Sequence, residues 1–262
     1  MNLQRKILNR RGGKENRVEI AENTHCDTIF PMKLRLRWLA ILILCSFARG
    51  QEVEITAEPS HHQILQNDYV RVFRVEIPPH APTLLHRHRH DYFFVALAPT
   101  TLSNEVAGKA ATTTTIRSGE VRFTEGNFAH VARNLTGQPF PHVTIEFLRD
   151  AAVHKSPPPE WDEERALHVH HNGTQEILFV KDGVRVSDFE LQPGGMVHKQ
   201  RHPGPRLIVA VGDVDIKEKI AGRGDQPILL KSGEVKWLEG GTTGMLMNTG
   251  KRSARWITLE FH

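Results

Sequence analysis

From about residue 60 onward, apolar and polar positions alternate in short runs broken by Gly, Pro and Asn, a period of two that predicts many short β-strands. Val70-Arg71-Val72-Phe73-Arg74-Val75-Glu76-Ile77 alternates apolar with charged residues, as a strand with one wet face does. Pro78-Pro79 ends it, because proline has no amide hydrogen to give a central ladder. Phe93 to Leu97 is continuously apolar and suits a strand covered on both faces. Ser118-Gly119-Glu120 marks a turn, and Val143-Thr144-Ile145-Glu146-Phe147 alternates again. Asp162 to Ala166 is long enough for one helical turn.

The pattern meets itself at an offset of 114 residues. Asp68-Tyr69-Val70-Arg71-Val72 lies over Asp182-Gly183-Val184-Arg185-Val186, Ser118-Gly119-Glu120-Val121 over Ser232-Gly233-Glu234-Val235, and Thr144-Ile145-Glu146-Phe147 over Thr258-Leu259-Glu260-Phe261. Residues 68–148 and 182–262 share 22 identities in 81 ungapped positions. That register implies duplication of a whole domain. Two copies are too few for a solenoid, so each half is expected to close its own core. The prolines of His154-Lys155-Ser156-Pro157-Pro158-Pro159-Glu160 mark the linker between them.

The start of the chain reads differently. Residues 1–31 are polar and basic without periodicity. The basic cluster Met32-Lys33-Leu34-Arg35-Leu36-Arg37 then precedes eleven mostly apolar residues, Trp38 to Ala48. A bilayer span takes about twenty, so the run fits the apolar core of a secretory signal, with Ser46-Phe47-Ala48 or Ala48-Arg49-Gly50 at the cleavage point. A buried core helix is the plainer alternative, but the basic flank and the position favour export. The expected leader is therefore residues 1–50, with Met32 as the biological start and a periplasmic or secreted destination. Cys45 as a lipidated cysteine is disfavoured by Leu44 before it, where a small residue is expected.

Taking away the leader changes the charge picture. The full 262 residues carry +4, whereas residues 51–262 carry 24 basic against 26 acidic side chains, a net −2. The basic balance belongs to the leader, and nothing in the remainder suggests nucleic-acid binding. Both cysteines, Cys26 and Cys45, also lie in it, so the remainder relies on its core and not on disulfides.

Chemistry concentrates between His80 and Asn134. His86-Arg87-His88 puts two imidazoles on one face of a strand, and His130 follows a Gly-containing turn. Three imidazoles from two strands of one sheet can converge on a metal and leave coordination positions open. These segments resemble the paired motifs of the cupin superfamily, Gly-x5-His-x-His-x3-Glu and Gly-x5-Pro-x-Gly-x2-His-x3-Asn. His80 stands at the first motif's glycine, His86 and His88 in its histidine slots, and Tyr92 where a carboxylate is usual. In the second motif Gly119 opens, Glu125 and Asn127 replace proline and glycine, and His130 and Asn134 fill the last two slots. Asp91, one residue early, and His90 are further candidates to complete the metal shell.

The resemblance implies an all-β chain of two tandem jelly-roll barrels, at residues 60–150 and 166–262, joined by a linker at 151–165. It implies a metal centre on His86, His88 and His130 in the first barrel, with Tyr92 orienting a bound substrate. Nitrogen ligands suit Fe(II), favoured here, or Zn, Ni, Cu or Mn over Mg and Ca. Three neutral imidazoles leave the metal's charge uncompensated and favour an anionic ligand. The implied activity is oxygenase-like or isomerase-like chemistry on a small organic anion or phenolic. The rival is a non-catalytic small-molecule-binding module of the envelope with a structural or vestigial metal. No membrane span is expected, and a homodimer is compatible with the pattern. At equivalent positions the second half has Gln200, His202, Arg206 and Gly244, so it keeps one histidine of three and is expected to bind no metal. His168-Val169-His170-His171 has ligand spacing but lies outside the motifs, and is read as solvated or interdomain.

Overall fold

The computed structural model of the chain describes residues 51–149, 156–157, 161, 165–181 and 183–262. The leader at 1–50 and most of the 151–165 linker lie outside these residues. The first half contains β1 (Val53–Glu54), β2 (His61–Gln66), β3 (Val70–Ile77), β4 (His86–His88), β5 (Tyr92–Ala96), β6 (Thr100–Val106), β7 (Thr112–Ile116), β8 (Val121–Thr124), β9 (Phe128–Asn134) and β10 (Phe140–Phe147). The second contains β11 (Leu167–Lys181), β12 (Val184–Met196), β13 (Gln200–His202), β14 (Arg206–Ala210), β15 (Val214–Ile220), β16 (Asp225–Leu230), β17 (Val235–Leu238), β18 (Thr242–Asn248) and β19 (Ala254–Phe261). One short 3₁₀ turn, Ile55–Ala57, is the helical exception among the elements named.

Two five-stranded sheets build the first half, in the orders β1-β4-β9-β6-β7 and β2-β3-β10-β5-β8. The second half is one continuous sheet, β16-β15-β18-β12-β19-β14-β17, with β11 added on β12 and β13 on β18. The architecture is all-β, two jelly rolls in tandem, a form that leaves few strand edges unpaired.

Alternation along the strands assigns each face. On β3, Val70 and Val72 point one way, while Phe73, Val75 and Ile77 point into the first barrel. On β10, Val143, Ile145 and Phe147 join Val70 and Val72, leaving Phe140, His142 and Thr144 to line the interior cavity. The second half repeats this: Val184, Val186, Ile257, Leu259 and Phe261 point one way, and Phe189, Leu191 and Trp256 the other. The outward apolar faces of both halves pack on each other in one shared cluster that also takes in Phe93, Val95, Leu207 and Val209. Each half has an inner cluster besides, and residues 50–262 hold together as a single unit. The face of β3 read from sequence as wet is therefore half covered. Arg74 and Glu76 are exposed, and Val70 and Val72 are fully buried against the other half.

The turns keep the conformation that the cupin motifs call for, even without glycine. His80 and Asn127, standing where the motifs have glycine, adopt φ of 55° and 62°. Their counterparts in the second half are true glycines, Gly194 at 76° and Gly241 at 72°. Left-handed backbone costs a β-carbon-bearing residue about 1 kcal/mol or more, so these turns are dictated by the fold around them.

Candidate metal centre

Strand β4 reads His-Arg-His, and its two faces explain the pattern. Arg87 and Arg89 point outward to ion pairs with Glu52 and Glu54, while His86 and His88 are buried at 1% and 2% exposure. β4 runs antiparallel to β9, and the register sets His86 directly opposite His130. Asp91 accepts the amide hydrogen of Gly126 at 2.7 Å, tying the end of the first motif to the turn of the second. A β-carbon on Gly126 would come within 2.4 Å of the His90 backbone, so glycine is needed for that approach. Asp91 is thus engaged at the turn, where it fixes the two ligand-bearing strands, and His90 sits in the bend after β4.

Two further histidines enter from the opposite sheet. His61, on β2, approaches His86 and His88 so closely that ligating nitrogens of all three lie within 4.8 Å of one another. His142, on β10, stands behind His61 with ring centroids 6.5 Å apart. Sequence reasoning missed both. For His61 the readable signal was Glu58 three residues earlier, a carboxylate placed to hold an imidazole. For His142 it was the strand period, which sets it on one face with Thr144 and Glu146.

What lies behind each ring decides its tautomer. The His86 Nδ1–H donates to the Leu84 carbonyl at 2.9 Å, His130 Nδ1 meets Asn104 Oδ1 at 2.6 Å, and His61 Nδ1 meets Glu58 Oε2 at 2.6 Å. His88 Nδ1 faces Glu146 Oε1 at 3.5 Å, an ion-pair distance longer than a hydrogen bond. Acceptors behind the rings keep hydrogen on Nδ1 and leave Nε2 lone pairs facing inward, the usual support for metal-ligating histidines. His86 and His130 then oppose Nε2 to Nε2 at 3.1 Å. Two bare lone pairs at that distance repel, and a shared cation removes the repulsion. Ligand nitrogens on one metal lie about 3 Å apart when each bond is about 2.1 Å. The residues present therefore fit a divalent transition metal.

Electrostatics keep the ligands available. Burial pushes His86 down to about 4, with repulsion from His61 adding to it. Burial also lowers His88, outweighing the pull of Glu146, and holds His130 well below the ordinary imidazole range, with His86 and His88 reinforcing the effect. Burial alone would raise the Glu58 carboxyl, but His61 and the amides of Leu84 and Ser60 keep it below its usual value. Glu146 is held low in the same way, against its burial, by His88 and by Arg71, whose Nε and Nη2 donate to its Oε2 at 3.0 and 2.6 Å. His86, His88 and His130 are neutral and both carboxylates ionised at neutral pH.

Tyr92 stacks on His88 with centroids 4.1 Å apart and planes 17° from parallel. Burial pushes its phenol up to about 12 despite a hydrogen bond from Thr124, so it remains a proton-bearing donor. It lines a cavity of about 170 Å³ with the histidines, Phe94, Leu102, Ile116 and Phe140.

With fold and site in view, solved structures supply the comparison. Oxalate decarboxylase from Bacillus subtilis superposes with a TM-score of 0.56 at 9% identity, over 78% of this chain and 74% of that one. The formate complex of the Lactobacillus farciminis oxalate decarboxylase gives 0.54 at 14%, over 78% and 84%. AerE from Microcystis aeruginosa gives 0.52 at 11%, over 78% and 98%. The chain has the bicupin fold. No protein-family model matches its sequence, and none of the curated proteins does. The Bacillus subtilis oxalate decarboxylase has Mn(II) centers. In this fold the first barrel brings ligating nitrogens of His61, His86 and His88 within 4.8 Å of one another, and sets His130 3.1 Å from His86. Its second barrel places His202 beside Glu260, with Nδ1 to Oε1 at 3.1 Å. His170, from the His-x-His pair outside the motifs, is buried and meets His198 with Nδ1 to Nδ1 at 3.2 Å. No helix among the described residues is long and apolar enough to cross a membrane.

Proposed function

We propose that the first barrel is the centre of a metal-dependent enzyme acting on a small organic anion or phenolic, with His61, His86, His88 and His130 holding the metal. The observation that carries this reading is the Nε2 to Nε2 approach of His86 and His130 at 3.1 Å, each ring anchored from behind by an acceptor. Nitrogen donors favour Fe(II), Zn, Ni or Cu over Mg and Ca, and Fe(II) is the metal proposed. When bound, such an ion supplies Lewis acidity and open positions for an oxygen ligand.

The surrounding charges set what the site accepts. Four neutral imidazoles add nothing to a divalent ion, Glu58 and Glu146 subtract two charges, and Arg71 returns one. A centre with one surplus positive charge favours a monoanion over a dianion. Tyr92, protonated at neutral pH, donates a hydrogen bond to whatever oxygen lies beside His88. Export remains part of the proposal on the strength of the leader at 1–50; intact mass of material secreted by a Gram-negative host should show a chain starting near residue 49 or 51.

Metal analysis of untagged protein, then an oxygen-uptake screen against small carboxylates and phenols, tests the reading. Stoichiometric metal with turnover is expected. Absence of metal after reconstitution with Fe(II), Zn, Ni, Cu and Mn would hand the fold to the binding-module alternative. Tyr92→Phe should keep its metal and lose turnover by about tenfold, the scale of one positioned hydrogen bond.

A further inference from the structure

His142 takes no part in the metal centre as proposed, yet it is a polar side chain buried in the interior of the first barrel. It is 8% exposed, lies on the interior face of β10 between Phe140 and Thr144, and lines the same cavity as the ligands. Its ring stacks on Phe140 at 4.6 Å and 22°, and its Nδ1 makes no well-formed hydrogen bond, with only the Phe140 backbone acting on it. A buried imidazole nitrogen without a well-formed partner is destabilising, so packing alone does not account for it. The second barrel shows that the fold does not require a polar group there. The equivalent residue is Trp256, fully buried, whose Nε1–H is satisfied by the Thr258 hydroxyl at 3.2 Å. Thr144, the counterpart of Thr258, leaves its imidazole neighbour unserved.

The cavity bounds the size of what could serve it. About 170 Å³ is little more than the roughly 150 Å³ apolar cavity that takes one benzene ring. Ile77, Phe94, Leu102, Ile116 and Phe140 give it an apolar wall alongside the histidines.

We infer that His142 is a positioning residue that hydrogen-bonds a second oxygen of the substrate, one not bound to the metal. The substrate class that fits is a single-ring or similarly compact monoanion. It carries one oxygen group toward His61, His86, His88 and His130 and a hydroxyl or carbonyl toward His142. The inference rests on the metal reading above, and its test separates the two.

Full-length chain is loaded with Co(II), its metal content measured, and its visible absorption titrated with benzoate, 3-hydroxybenzoate and 4-hydroxybenzoate. Neither ring hydroxyl can chelate the ion together with the carboxylate, so any gain from it reports a protein partner. The wild type should bind one hydroxybenzoate about tenfold tighter than benzoate, the worth of one buried hydrogen bond. His142→Phe should keep the Co(II) and the benzoate affinity and lose the preference. His142→Gln, able to donate and accept, should recover part of it. A preference that survives in His142→Phe, a wild type without one, or benzoate weakened as much as its hydroxylated relatives would each overturn the role of His142 while leaving the metal centre standing. Failure of the wild type to take up Co(II) would overturn the metal reading itself, and this inference with it.

Discussion

In the first barrel Arg71 and His88 converge on Glu146; in the second, Arg185 and His202 converge on Glu260 in the same places. Beyond that shared triad the interiors part. His61, His86 and His130 of the first barrel correspond to Gln175, Gln200 and Gly244 of the second. Tyr92 corresponds to Arg206 and Asn104 to Glu218, and these two form a buried ion pair at 2.7 Å, 3% and 1% exposed. A β-carbon on Gly244 would lie 2.9 Å from Glu218 Oε1, so the pair occupies room that a His130 equivalent would need. One barrel presents nitrogen donors to a cation from outside, and the other carries its cation on a side chain. The Arg–Glu–His triad belongs to the fold; the four histidines belong to the site.

The largest test of that contrast is metal content. His61→Ala, His86→Ala, His88→Ala and His130→Ala should each weaken metal binding about a hundredfold or more, whereas His202→Ala should leave it unchanged. Stoichiometric metal in a variant lacking all four would move the centre elsewhere, His170 and His198 being next to examine. Next in size is the ion pair. Glu218→Ala strands a buried guanidinium and should cost about 3–5 kcal/mol in urea unfolding, while Asn104→Ala in the first barrel removes one acceptor and should cost about 1. Equal costs would mean that the two interiors are not as different as they look.

Acid sharpens the same comparison. Burial first, then the nearby His61, depress His142 from 6.5 to about 3, whereas Trp256 at the matching place cannot titrate. The unfolded chain takes up a proton near pH 6.5 and the folded one does not until about pH 3. Stability from this group is therefore complete above pH 6.5 and falls as pH drops towards 3, by up to about 1.4 kcal/mol per unit. Urea midpoints of metal-free protein between pH 7 and 4 should fall less steeply in His142→Phe than in the wild type. The smallest effect concerns the turns: His80→Gly should gain about 0.5–1 kcal/mol by relieving φ of 55°, and Gly194→His should lose a comparable amount.

Much of this was legible from the strand pattern, the 114-residue offset and the motif spacing. Those set His86 and His88 on one strand and His130 on another of the same sheet, and the register of β4 on β9 puts His86 opposite His130. What escaped was on β10. Val143-Thr144-Ile145-Glu146-Phe147 alternates, which sets His142, Thr144 and Glu146 on one face and Val143, Ile145 and Phe147 on the other without saying which of the two lines a cavity. In the folded chain the apolar face meets the other half and the polar face lines the interior. Alternation says which residues share a face, but only the partner says which face is inside. His61 escaped for a related reason: its strand belongs to the opposite sheet, and no spacing along the chain measures the width of a barrel.

The shared apolar seam between the halves has a consequence for how such a chain can change. A solitary barrel with Val70, Val72, Val143 and Ile145 on its outer wall would have to find a second copy, and dilution would pull the pair apart. Carried on one chain, the two walls meet at a local concentration that no dilution reaches. Symmetry is then no longer enforced, since a substitution in one interior is not automatically copied into the other. One side is free to keep a demanding, acid-sensitive centre while the other settles into a self-sufficient brace.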